Sequence, residues 1–157
     1  MSLQEYTSAK KKLDTHSEGF FTFITQSEEL LRKAEKALHL NFPPDYRQFT
    51  LDFGTAVIEG IEIYGLTTDN FIDAGVPNVV WFTLNERLES QIRGDLLPIH
   101  DTTMGEYYAL DFSKLNTFGE PKVVVCLPDL DDSEQSYPIV AENFGAFLLD
   151  LAEDLEA

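Results

Sequence analysis

Apolar positions along the first fifty residues recur at helical spacing. Residues 3–13 combine helix-forming side chains with Lys10, Lys11 and Lys12 at the far end, where cations complement a helix macrodipole, and predict a short leading helix. Phe20, Phe21, Phe23 and Ile24 follow as an aromatic, β-rich run, a short strand or apolar anchor. Thr25-Gln26-Ser27-Glu28 has the form of a capping box with Thr25 as cap, and Leu30, Leu31, Ala34, Ala37 and Leu38 form a helical stripe behind it. Pro43-Pro44 then opens a second helix, because a first-turn residue has no use for the N–H that proline lacks. Tyr46, Phe49, Thr50 and Phe53 give that helix its inward face, and Gly54 terminates it.

Beyond Gly54 the period changes. Residues 58–66 set Ile61 and Ile63 against Glu62 and Tyr64, the alternation of a half-buried strand. Residues 79–88 carry no clear period and read as a loop entering a short helix. Strands are predicted over 96–100 and 106–112, joined by a loop over 101–105 in which Gly105 supplies a positive φ. Residues 121–127 form a β-branched strand and 137–140 a shorter one, with an acidic loop over 128–136 between them. Phe144, Phe147, Leu148, Leu151 and Leu155 form the inward face of a closing helix. This order predicts one α+β domain with an antiparallel-dominated central sheet and helices packed mainly on one face. Residues 1–24 supply the leading helix and short apolar segment, and 25–157 the body.

Composition adds a packed core, since 43% hydrophobic residues, with twelve Phe among them, exclude a disordered acidic chain. Charge adds direction. The net charge is −17, yet residues 1–50 balance seven basic against seven acidic side chains, so the excess lies entirely downstream. No Lys or Arg follows Lys122. A field of that sign repels nucleic acid and anionic membrane surfaces and accelerates encounter with a basic partner. The chain has no apolar run of about 18 residues and no basic-then-apolar leader. Its single Cys126 cannot form an internal disulfide and reads as a small buried hydrophobe. Together these features predict a cytoplasmic protein.

Catalytic constellations fail one by one. His16, His39 and His100 are scattered without metal-ligand spacing. No nucleophile elbow, phosphate loop or dinucleotide glycine pattern occurs. The acidic run from Asp129 cannot be a calcium loop, because the glycine position holds Glu134 and the final glutamate position holds Val140. A metal-dependent nuclease motif opening at Pro128-Asp129 would need a following Lys, and none exists. The expectation is a non-enzyme without metal or cofactor.

Residues 25–54 resemble the opening of the SUKH superfamily, which contains the yeast cell-wall assembly regulator and many bacterial immunity proteins. Ala34, Glu35, Leu38, Phe42, Pro43, Pro44, Tyr46, Phe49 and Gly54 carry the likeness, and so do the segments 96–99, 107–112 and 140–148. Residues 25–157 are accordingly identified as a SUKH-like domain, with the leading helix outside the resemblance. Two departures are Thr55 and Ala56, where the family often has a second glycine or Asn-Gly, and a glycine-poor loop near Gly105. The resemblance implies an immunity protein, or antitoxin, that neutralises a cognate toxin by direct contact, often a nuclease domain with a basic cleft. It also admits a regulatory interaction scaffold, with a metal-dependent hydrolase as the remaining rival. The candidate toxin contacts are the carboxylates on and between the strands: Glu59, Glu62, Asp69, Asp73, Asp101, Glu106, Asp129, Asp131, Asp132 and Glu134. Tyr64, Tyr107, Tyr108 and Trp81 are anchors beside them where exposed and core where not. A homodimer is compatible with the sequence.

Overall fold

The structure, a computed structural model, describes residues 2–15 and 18–156, so His16 lies outside the described residues. In chain order the elements are α1 (Ser2–Asp14), β1 (Phe20–Thr22), α2 (Glu28–Leu38), α3 (Pro44–Phe53), β2 (Ala56–Ile58) and β3 (Ile61–Ile63). There follow α4 (Val79–Glu89), β4 (Leu96–Asp101), β5 (Tyr107–Leu115), β6 (Pro121–Cys126), β7 (Ile139–Ala141) and α5 (Phe144–Glu156). The strands form two antiparallel sheets, ordered β1-β2-β3 and β4-β5-β6-β7. A link between β3 and β4 joins them. The Tyr64 N–H donates to the Ile99 carbonyl at 2.7 Å, and His100 Nδ1 lies 2.8 Å from the Glu62 carbonyl oxygen.

Three local features differ from the sequence pattern. Ser27, not Thr25, caps α2, its hydroxyl accepting from the Leu30 N–H at 3.1 Å, which leaves Glu28 and Glu29 in the first turn against the helix dipole. The single strand expected over 58–66 is a hairpin. Glu59 at φ 50 and Gly60 at φ 80 make a two-residue turn that returns Ile61 opposite Ile58. Residues 79–89 are helical throughout rather than loop followed by short helix. Asn78 fixes their start by accepting from the Val80 and Trp81 amides, and its own amide donates to Thr67 and Thr68. Val79, Val80, Phe82 and Thr83 form its buried face, but Trp81 and the exposed Leu88 stand on the other side and blur the apolar stripe that would have marked a helix.

Helices α1, α3 and α5 pack together, and α5 carries the layer onto the sheet. Phe144 meets Tyr46 at 5.0 Å and Phe49 at 5.1 Å between ring centroids, and Phe147 meets Tyr108 of β5 at 5.8 Å. Tyr107 and Tyr108 project to opposite faces of β5, so Phe82 of α4, 5.1 Å from Tyr107, covers the other side. Gly145 makes the α1–α5 seam possible, because a Cβ there would sit 2.2 Å from the Ser2 carbonyl oxygen. Asp45, fully buried in the first turn of α3, accepts from the Tyr46 amide at 2.7 Å and from the Gly145 amide at 2.8 Å. One carboxylate thus serves the N-termini of two helices.

Candidate functional site: an acidic end of the joined sheets

The direction of strand pairing decides which carboxylates meet. β3 runs against β4, so the β2–β3 turn, the β4–β5 loop and the loop after β6 all open toward one end of the joined sheets. Asp132 reaches back toward the far end of β4, 3.5 Å from the Arg93 that holds Asp111 opposite Leu96, but seven of the ten predicted carboxylates belong to the shared end: Glu59, Glu62, Asp101, Glu106, Asp129, Asp131 and Glu134. Asp69 and Asp73 do not. They lie in the segment leaving the opposite end of β3, where Asp69 pairs with Lys33 of α2 at 3.3 Å.

Sequence reasoning missed an eighth member, Glu86. It reaches the cluster from α4, accepting hydrogen bonds from the Tyr107 and Ser90 hydroxyls. Its signal was hidden with the periodicity of α4, since a carboxylate on an unrecognised helix has no face. The shared field is visible in the tyrosines beneath. Burial, then the negative charges of Asp101, Glu62 and Glu86, push the Tyr64 hydroxyl up to about 12. Tyr107 is pushed up in the same sense by burial, by its bond to Glu86 and by Asp101. Tyr64 and Tyr107 belong to the core, whereas Tyr108 and Trp81 are half-buried and the Trp81 indole donates to the Ile72 carbonyl.

The loop after β6 is held by side chains rather than by a strand. The Gln135 amide accepts from the Leu127 N–H at 2.8 Å and donates to the Leu127 carbonyl at 2.9 Å, pairing with that backbone as a neighbouring strand would. Asp131 and Glu134 cap the 3₁₀ turn Asp132–Glu134 reciprocally. Asp132 accepts from the Tyr137 hydroxyl at 2.6 Å and lies 3.5 Å from Arg93. Arg93 also binds Asp95 at 2.7 Å and the fully buried Asp111 at 2.6 Å, and stacks over Tyr137 at 4.6 Å. Burial alone would lower the pKa of Arg93, but the bond to Asp95 and the charge of Asp111 outweigh it and raise the value. Lys114 adds bonds to the Ser136 and Tyr137 carbonyls. Asp129 and Glu134 face solvent from a braced loop.

Chemically the end is an array of anions over an aromatic layer. Among the described residues no group of three or more His, Cys, Asp or Glu side chains could hold a metal ion. Burial pushes the Cys126 thiol up to about 11, so it is protonated and unreactive at neutral pH. His100 spends Nδ1 on the Glu62 carbonyl and packs on Tyr108 at 5.5 Å between ring centroids, a structural role. Among the described residues no helix is long and apolar enough to cross a membrane.

Fold and surface together define an acidic α+β domain, with five α-helices on two linked antiparallel sheets among the described residues. The SUKH_6 family, described as SMI1-KNR4 cell-wall, matches residues 28–148, and the chain belongs to this family within the SUKH superfamily. The match begins with α2 and ends inside α5, leaving α1 and β1 outside it. Membership points to an immunity-protein-like or SMI1/KNR4-like role. A protein from Pseudomonas syringae pv. tomato, known from its crystal structure, shares the fold with a TM-score of 0.61 and 16% identity, over 94% of this chain and 99% of that one. No curated protein shows significant sequence similarity to the chain.

Proposed function

We propose that this protein is a cytoplasmic bacterial immunity protein, without catalytic activity or cofactor, that neutralises a cognate toxin by direct contact. The toxin is a basic protein, a nuclease domain, and it meets the acidic end. Glu62, Glu86, Asp101, Glu106, Asp129 and Glu134 are the leading contacts, with Glu59 and Asp131 beside them and Asp132 bracing the loop through Tyr137 and Arg93. The observation that carries the reading is the convergence of three connections bearing seven predicted carboxylates on one end of the sheets, in a family that includes immunity proteins. A nuclease cleft lined with Lys and Arg complements such a surface, which favours fast encounter and rejects acidic competitors.

The description of the family as SMI1-KNR4 cell-wall also supports a second reading, an interaction scaffold without inhibitory action. One experiment separates the two. The purified chain is titrated against the protein encoded beside its gene, with toxin activity and complex formation read in parallel. The expected result is a stoichiometric complex in which the toxin is silent, weakened when Asp129, Asp131, Asp132 and Glu134 are reversed to lysine. A complex that leaves the partner active favours the scaffold, and the absence of any complex defeats both readings.

A further inference from the structure

Between the acidic end of the sheet and residues 133–138 lies an open groove of about 620 Å³. Val125, Leu127 and Pro138 line it as an apolar floor, while Glu106 and Glu134 stand on its rims and Gln135 forms part of one wall. Strand geometry explains the layout. Val125 and Leu127 are two residues apart and share a face, and the Tyr107–Cys126 pairing puts Glu106 across from Leu127. The floor offers contact area to hydrocarbon, and the rims offer charge to a cation. A lysine or arginine side chain has both, an aliphatic stem and a charged head.

Building on the proposed function, we infer that this groove seats a short extended segment of the partner bearing lysine or arginine. The volume exceeds that of one side chain and falls in the range of small-ligand clefts. Charge complementarity selects a cationic occupant: nucleic acid repeats the sign of the rims, and two copies of a −17 chain repel as wholes. The wall is also prebuilt. Gln135 already occupies the Leu127 backbone, Tyr137 is held at φ 51 by Asp132, Arg93 and Lys114, and little ordering is left to cost affinity on binding. Because the Leu127 backbone is taken, the occupant binds through side chains and not as an added strand.

The test is a titration of the isotope-labelled full chain with pentalysine at low salt, following backbone amide shifts, repeated on Val125→Thr and Glu134→Gln. The groove predicts shifts centred on Val125, Leu127 and residues 133–136. It also predicts an affinity about fivefold lower in Val125→Thr, which keeps shape and net charge but replaces a methyl with a hydroxyl. Shifts scattered over the acidic end, with Val125→Thr binding like the parent, would overturn the groove and leave the acidic-end reading standing. No binding at all, or shifts centred on Asp69 and Asp73, would overturn both.

Discussion

Asp45 and Arg93 show how single side chains hold this fold to a pH range and a loop to its sheet. Burial raises the pKa of Asp45, against the downward pull of the Gly145 and Tyr46 amides and with a further rise from Glu120. A carboxyl whose folded pKa exceeds its unfolded one binds more protons in the native state, so its contribution to stability grows as pH falls through that interval. Denaturation of the parent and of Asp45→Asn at stepped pH should therefore show the parent gaining on the variant between neutrality and the ordinary value of 3.8; a constant difference would refute the assignment. Glu120 acts in the opposite sense, since the Ser2 amide and the Asn116 and Asn143 side chains overcome burial and lower its pKa. Its share of stability is lost as pH falls below 4.5 through the folded value, so the two groups can be told apart only by variants. Arg93→Ala leaves Asp111 buried and without its cation, and is expected to cost about 3–5 kcal/mol in denaturant unfolding. A loss under about 1 kcal/mol would mean that the pair contributes little. Neither role was legible in the sequence. Asp45 acts on an amide 100 residues away, and Arg93 reads as one more surface cation until Asp111 is seen with no exposure.

Elements were legible where local chemistry is unambiguous and hidden where burial or turn chemistry is unusual. The Pro43-Pro44 opening and the Gly54 stop of α3 follow from proline and glycine alone, and Gly54 does adopt φ 72. The β2–β3 turn escaped because its first residue is Glu59, a side chain that rarely accepts positive φ, in place of Asn, Asp or Gly. Helix α4 escaped because Trp81 and the exposed Leu88 put apolar side chains on its outer side as well as its buried one, and with it went Glu86. The α1–α5 seam was equally invisible, since nothing before the fold assigns Gly145 a neighbour. Gly145→Ala must push the Ser2 carbonyl away and is expected to destabilise the protein by about 1–3 kcal/mol, with α1 the first segment to lose amide protection. Unchanged stability and protection would show that the seam can open without cost.

At the scale of the molecule, the amount and the downstream bias of the charge were plain in the sequence, but its geometry was not. Grouping seven carboxylates and setting Asp69 and Asp73 apart depended on β3 meeting β4, a contact across a 35-residue separation in which neither strand announces its partner. That grouping makes the central claim specific: position, and not net charge, governs recognition of the basic partner. The most direct measurement is stopped-flow association of the neighbouring gene's product with two double variants of equal net charge, Glu106→Gln/Asp129→Asn and Asp69→Asn/Asp73→Asn. The first pair should slow association about fivefold at low salt, an effect that fades as salt screens it, while the second stays within about twofold of the parent. Equal slowing by both pairs, or none by either, would contradict the account.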